Sequence, residues 1–167
     1  MKLMTYQQGD DWLRGIGVNV PWSGSWEGIM QTCRYRIPPD SGRKTALSHL
    51  LVSSVFTGHS IIFVIQEHGV WPSCENETLF LKYRSSVSDE GGIDEYPFHI
   101  AQPDEAEYVE GLLALSLYFI WGILLLNDTG DVFIRTSHDE WIEVASHDRD
   151  RLMAMTKLLD EFGLEKM

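Results

Sequence analysis

Two tripeptides in this chain set an imidazole beside a hydroxyl and a carboxylate: Ser137-His138-Asp139 and Ser146-His147-Asp148. A histidine with a carboxylate in reach can ligate a metal or move a proton. Between the copies, Trp141 to Ala145 reads as a strand, and at roughly 3.3 Å per residue it holds them about 16 Å apart, so they do not form one site. The first copy reads better as a β-turn. The second reads as a helix start, with Ser146 or Asp148 as N-cap. Cys74 is a candidate nucleophile, with His49, His59, His68 or His99 as its base. That arrangement, or the His138-Asp139-Glu140 turn, would make the protein a small hydrolase or transferase. Neither Cys33 nor Cys74 lies in a CxxC pair or a thiol-enzyme signature, so structural free thiols in a reducing compartment are the plainer reading.

Gly42-Arg43-Lys44-Thr45 invites comparison with a phosphate-binding loop, but it lacks the upstream glycine, and Pro38-Pro39 stands where a strand should precede it. A helix cap with solvated basic residues accounts for it. No HExxH, GxSxG, GxGxxG or EF-hand pattern occurs. The expectation is a non-enzymatic protein without metal or cofactor.

The elements that must position these residues centre on the uncharged run Gly111 to Leu126, GLLALSLYFIWGILLL. It follows an acidic helix start at Pro103, Asp104, Glu105 and Glu107 and stops at the turn Asn127-Asp128-Thr129-Gly130. A spanning helix needs about 20 apolar residues and basic anchors. This run is shorter and has acidic flanks, so it reads as a buried helix entering a buried central strand. Strands at Val132–Thr136 and Trp141–Ala145 and an amphipathic helix from Arg149 to Phe162 follow. Upstream, Arg43 to Thr57 reads as a helix, Ile61 to Gln66 as a central strand, and Leu79, Leu81 and Tyr83 as the inward side of a second strand. Ser85 to Gln102 reads as a long acidic loop.

Residues 1–42 form an irregular N-terminal region in which Ile16, Val18 and Val20 alternate as a short strand. Residues 22–37 fit helix and strand equally. The order helix, strand, strand occurs in 43–86 and again from 103, a hint of a duplicated α-β-β unit. At 167 residues the chain is a single α+β domain, an antiparallel or mixed sheet with helices packed on one face.

Charge narrows the partners. Residues 1–44 carry six Lys/Arg against four Asp/Glu, whereas the rest carries seven against twenty-one. From Ser85 to Ile134 there are ten carboxylates and no Lys or Arg. Such a surface repels nucleic acid and anionic lipid and attracts a basic protein. Its candidate contact residues are Asp89, Glu90, Asp94, Glu95, Asp104, Glu105 and Glu107, with the loop residue Trp71 as an apolar anchor. The first eleven residues hold no apolar segment of a signal peptide, so a cytoplasmic protein is expected.

The acidic α+β composition, with Asn127-Asp-Thr-Gly130, His138-Asp-Glu-Trp141 and a closing amphipathic helix, resembles in layout the immunity proteins of bacterial polymorphic-toxin and contact-dependent inhibition systems. The resemblance covers roughly residues 103–162. It implies a non-enzymatic inhibitor that binds a cognate toxin domain, such as a basic nuclease, and carries over no individual site residue. A structural subunit of a homo-oligomer is the remaining reading.

Overall fold

In chain order the elements are β1 (Lys2–Met4), α1 (Tyr6–Gly15), β2 (Gln31–Arg36), α2 (Ser41–Val55), β3 (Ile61–Glu67), α3 (Glu77–Ser85), β4 (Phe98–Ala101), α4 (Ala106–Phe119), β5 (Gly122–Asn127), β6 (Phe133–Ser137), β7 (Trp141–Ser146) and α5 (Arg149–Phe162). They come from a computed structural model that describes the chain apart from residues 21, 23–25, 27–29, 69–76 and 88–90. The seven strands form one antiparallel sheet in the order β1-β4-β3-β5-β6-β7-β2. The chain is thus a single α+β domain. No helix among the described residues is long and apolar enough to cross a membrane.

The uncharged run divides as expected into α4 and β5. Ile120 reverses the chain between them in the left-handed region at φ 58°, so the helix ends and the strand begins within two residues. Every residue of β5 is buried, because the strand lies at the centre of the sheet with helices on one side and the N-terminal segment on the other. Strand alternation assigns the faces. Phe63, Ile65, Ile123, Leu125, Ile134 and Val144 meet α2, α3, α4 and α5 in the larger core. Ile62, Val64, Leu124, Leu126, Phe133 and Ala145 point the other way, onto Leu13 of α1 and onto Val18, Trp26 and Met30.

Several local expectations are overturned. The alternation of Ile16, Val18 and Val20 is not a strand: Tyr6–Gly15 is helical, Thr5 and Gln8 form its capping box, and Gly17 exits at φ 82°. Ile16 is consequently exposed while Val18 bonds back to Leu13. Of the stretch 22–37, residues Gln31–Arg36 are strand β2. Leu79, Leu81 and Tyr83 belong to a helix, not a strand. Both neighbour positions beside β3 are taken by β4 and β5, and Phe80 and Arg84, four residues apart, share the buried side of α3. The duplicated α-β-β unit falls with that strand. The segment 85–102 contains β4, so it is not loop throughout.

Of the two basic residues at the start of α2, Arg43 stays exposed, whereas Lys44 is buried rather than solvated. Asp40 caps α2 by accepting from the Arg43 amide at 2.8 Å. The Arg43 guanidinium donates to the carbonyls of Phe162 and Gly163, closing the C-terminus of α5. Lys44 is buried, and burial lowers its pKa despite the opposing charge of Glu140.

Candidate functional site

The second face of the sheet changes character along its width. Its apolar half lies under α1, whereas β6, β7 and β2 place one row of charges across three strands. Register sets Arg135 opposite Glu143 and Glu143 opposite Arg34. Arg135 donates to one carboxylate oxygen of Glu143 at 2.6 Å, and Arg34 donates to the other at 3.1 Å. The Glu143 side chain is only 3% exposed, so this is a carboxylate held in the protein interior by two guanidinium groups. Indole rings cover them: Arg34 lies 4.3 Å from the Trp141 ring centre, and Arg135 lies 4.5 Å from that of Trp26 and 5.3 Å from that of Trp141.

Beside this ladder the sheet is open. A cavity of about 700 Å³ is lined by Arg34, Arg135 and Trp141 from the sheet, by Tyr6 and Trp22 from the N-terminal segment, and by Glu67 and Ser137 at strand ends. The Trp22 indole N–H donates to Asp10 at 2.7 Å, and its ring packs on those of Tyr6 and Phe98, which fixes that wall.

At the same end of the sheet carboxylates and imidazoles pair at the strand ends. His68 bonds Asp94 at 3.0 Å; the adjoining Glu67 bonds His138 at 2.8 Å; and His138 lies 3.5 Å from Asp139. The hydrogen bond that His138 donates to Glu67 raises its pKa above the ordinary imidazole value, against a smaller opposing effect of desolvation. Asp94 is 96% exposed, and no lysine or arginine among the described residues pairs with Glu67, Asp94 or Asp139.

The acidic residues singled out in the sequence are therefore divided. Asp94 and Glu95 precede β4 and belong to this rim, whereas Asp104, Glu105 and Glu107 follow it, about 13 Å away along four strand residues. Glu105 is occupied: the Met1 ammonium and the Gln102 amide bond it, the former contributing most to holding its carboxyl below the usual range. Trp71, Cys74, Asp89 and Glu90 lie outside the described residues. The two Ser-His-Asp copies stand at opposite ends of β7. The first is the β6–β7 turn, with Glu140 at φ 63°, and the second starts α5, capped by Asp148. Among the described residues no group of three or more His, Cys, Asp or Glu is placed to hold a metal.

Arg34, Arg135, Glu143 and Trp141 were not among the sequence candidates. Half of the signal was present: with Ser137 and Trp141 flanking a three-residue turn, counting back along the hairpin pairs Arg135 with Glu143. Arg34 joins from 109 residues away, through a pairing that no local pattern marks. No family model matches the chain, and no curated protein and no solved structure matches it.

Proposed function

We propose that the protein is a non-enzymatic binding protein that neutralises a basic protein partner, a toxin domain such as a nuclease in the manner of the immunity proteins it resembles in layout. The rim of Glu67, Asp94, Glu95 and Asp139 is the contact. One observation carries the reading: the exposed carboxylates of Glu67, Asp94 and Asp139 at this end of the sheet pair only with histidines, and no lysine or arginine among the described residues pairs with them. Such a surface accelerates encounter with a cationic protein.

Co-expression with the product of the neighbouring gene is the first experiment, followed by association and dissociation rates across salt. Steering acts over about 10 Å at 0.1 M salt, so association slows as salt rises while dissociation changes less. Asp94→Lys with Glu95→Lys slows association and leaves folding intact, since Asp94 has no packing to lose. A salt-independent association rate unchanged by the double reversal would remove the rim from the interface.

A second reading, a small hydrolase or transferase, is favoured by the Glu67 partner of His138 and the raised pKa it produces beside the cavity. Turnover of an activated ester such as p-nitrophenyl acetate, abolished by His138→Gln, would support that reading. Equal rates for the two proteins would exclude it.

A further inference from the structure

We propose that the cavity beside the Arg34–Glu143–Arg135 ladder is a binding site for a small planar aromatic molecule bearing an oxyanion. The proposal does not depend on the acidic rim: the two adjoin at Glu67, but they differ in the size and charge of what they would bind.

The cation that would receive the oxyanion is held in place in advance. Glu143 is buried and bonded by both arginines, and Trp141 lies against their guanidinium groups. Arg34 gives one N–H to Glu143, keeps a side chain that is 39% exposed, and lines the cavity. A guanidinium has five N–H donors in a rigid plane, so the remaining edge can engage a carboxylate or phosphate through two parallel bonds. The arginine loses little freedom on binding, because its partners already fix it.

The walls select the rest of the ligand. Trp22 and Tyr6 line the cavity from the N-terminal segment and Trp141 from the sheet, so a flat apolar body has aromatic surface to pack on. The indole nitrogen of Trp22 is already engaged by Asp10, which leaves that ring an apolar wall. Glu67 at the cavity edge would oppose an anion, but its carboxylate bonds His138. A basic side chain suits the ladder end of the cavity poorly, because Arg34 and Arg135 line it there.

The test compares 2-naphthoate, 2-naphthyl phosphate and 2-naphthylmethylamine as probes of one shape and different charge, read by NMR shifts of the tryptophan indole protons in the full chain. Both oxyanions are expected to bind and to shift Trp22 and Trp141 together, and the better of the two identifies the preferred oxyanion. The amine is expected to bind at least about tenfold more weakly, the worth of one charge-assisted contact. Arg34→Lys, which keeps the charge and removes the planar fork, is expected to weaken oxyanion binding by about tenfold while the indole spectrum of the free protein stays folded. Arg34→Met extends the loss if it folds; if it does not, the charge series on the unaltered protein still decides. Binding of the amine as tight as naphthoate, shifts confined to other tryptophans, an unchanged affinity in Arg34→Lys, or no shift with either oxyanion up to its solubility would each overturn the proposal.

Discussion

Arg135 on β6 and Glu143 on β7 stand directly opposite each other and meet at 2.6 Å, in the row where Arg34 reaches the same carboxylate from β2. The pair is interior, so its energy is the difference between a large desolvation cost and a large attraction. Removing one member exposes that imbalance. Glu143→Ala, which leaves two guanidinium groups without their shared anion, is expected to lower unfolding free energy by about 3–5 kcal/mol in urea titration. Replacing Arg34, Glu143 and Arg135 together by Met, Leu and Met is expected to be neutral or stabilising by about 1–4 kcal/mol. A triple variant as damaged as the single would show that the charges hold the β2 edge by more than their mutual balance.

His99 gives stability an acid dependence. It is buried on β4, and desolvation, aided by the nearby Arg84 charge, outweighs its bonds to the Phe63 and Pro97 carbonyls and pushes its pKa down to about 3. A folded value below the unfolded one means that the unfolded chain takes the proton first. The contribution is therefore fully present above about pH 6.5 and declines as pH falls toward 3, by up to about 1.4 kcal/mol per pH unit. Urea midpoints for the native protein and His99→Asn between pH 7 and 4 measure it: the native protein should lose stability more steeply. Parallel curves would place the acid sensitivity in the carboxylates instead.

Gly111 sets the approach of α3 to α4. A Cβ built there would stand 2.0 Å from the Tyr83 hydroxyl oxygen and 2.3 Å from the ring carbon that bears it. Alanine gains about 1 kcal/mol of helix propensity in an open helix. Here crowding dominates, and Gly111→Ala is expected to cost about 1–3 kcal/mol in thermal or urea unfolding. Tyr83→Ala, which vacates the space, should make the second substitution nearly neutral or favourable, so a double-mutant cycle isolates the contact.

The His138–Glu67 bond predicts a titration midpoint above the ordinary imidazole value for His138. A raised folded value favours the protonated fold, so any stabilisation is complete below about pH 6.5 and disappears as pH rises through the folded midpoint. Both side chains are exposed, so the reading to take is the midpoint from the imidazole proton shift. Glu67→Gln should lower it; a midpoint that does not move would mean that Glu67 does not hold the ring in solution.

What the sequence determined by itself are the elements whose pattern is local. The uncharged run, too short and too acidic at its flanks for a span and closed by a turn, reads as a buried helix and a buried strand. The heptad-like stripe ending at Gly163 made α5, and the three-residue turn at His138 fixed the hairpin register that pairs Arg135 with Glu143. Tertiary structure decided whatever depended on which edges were already occupied. Leu79, Leu81 and Tyr83 alternate as a strand would, but β4 and β5 fill both sides of β3, and the segment buries more by turning Phe80 and Arg84 inward from a helix. The same competition placed β4 inside the acidic segment, separating Asp94 from Asp104, and brought β2 to the far edge, where Arg34 completes the ladder. Local periodicity fixes the direction a side chain faces, whereas the neighbour it meets depends on chain closures spanning tens of residues, whose entropy is repaid only by the assembled sheet.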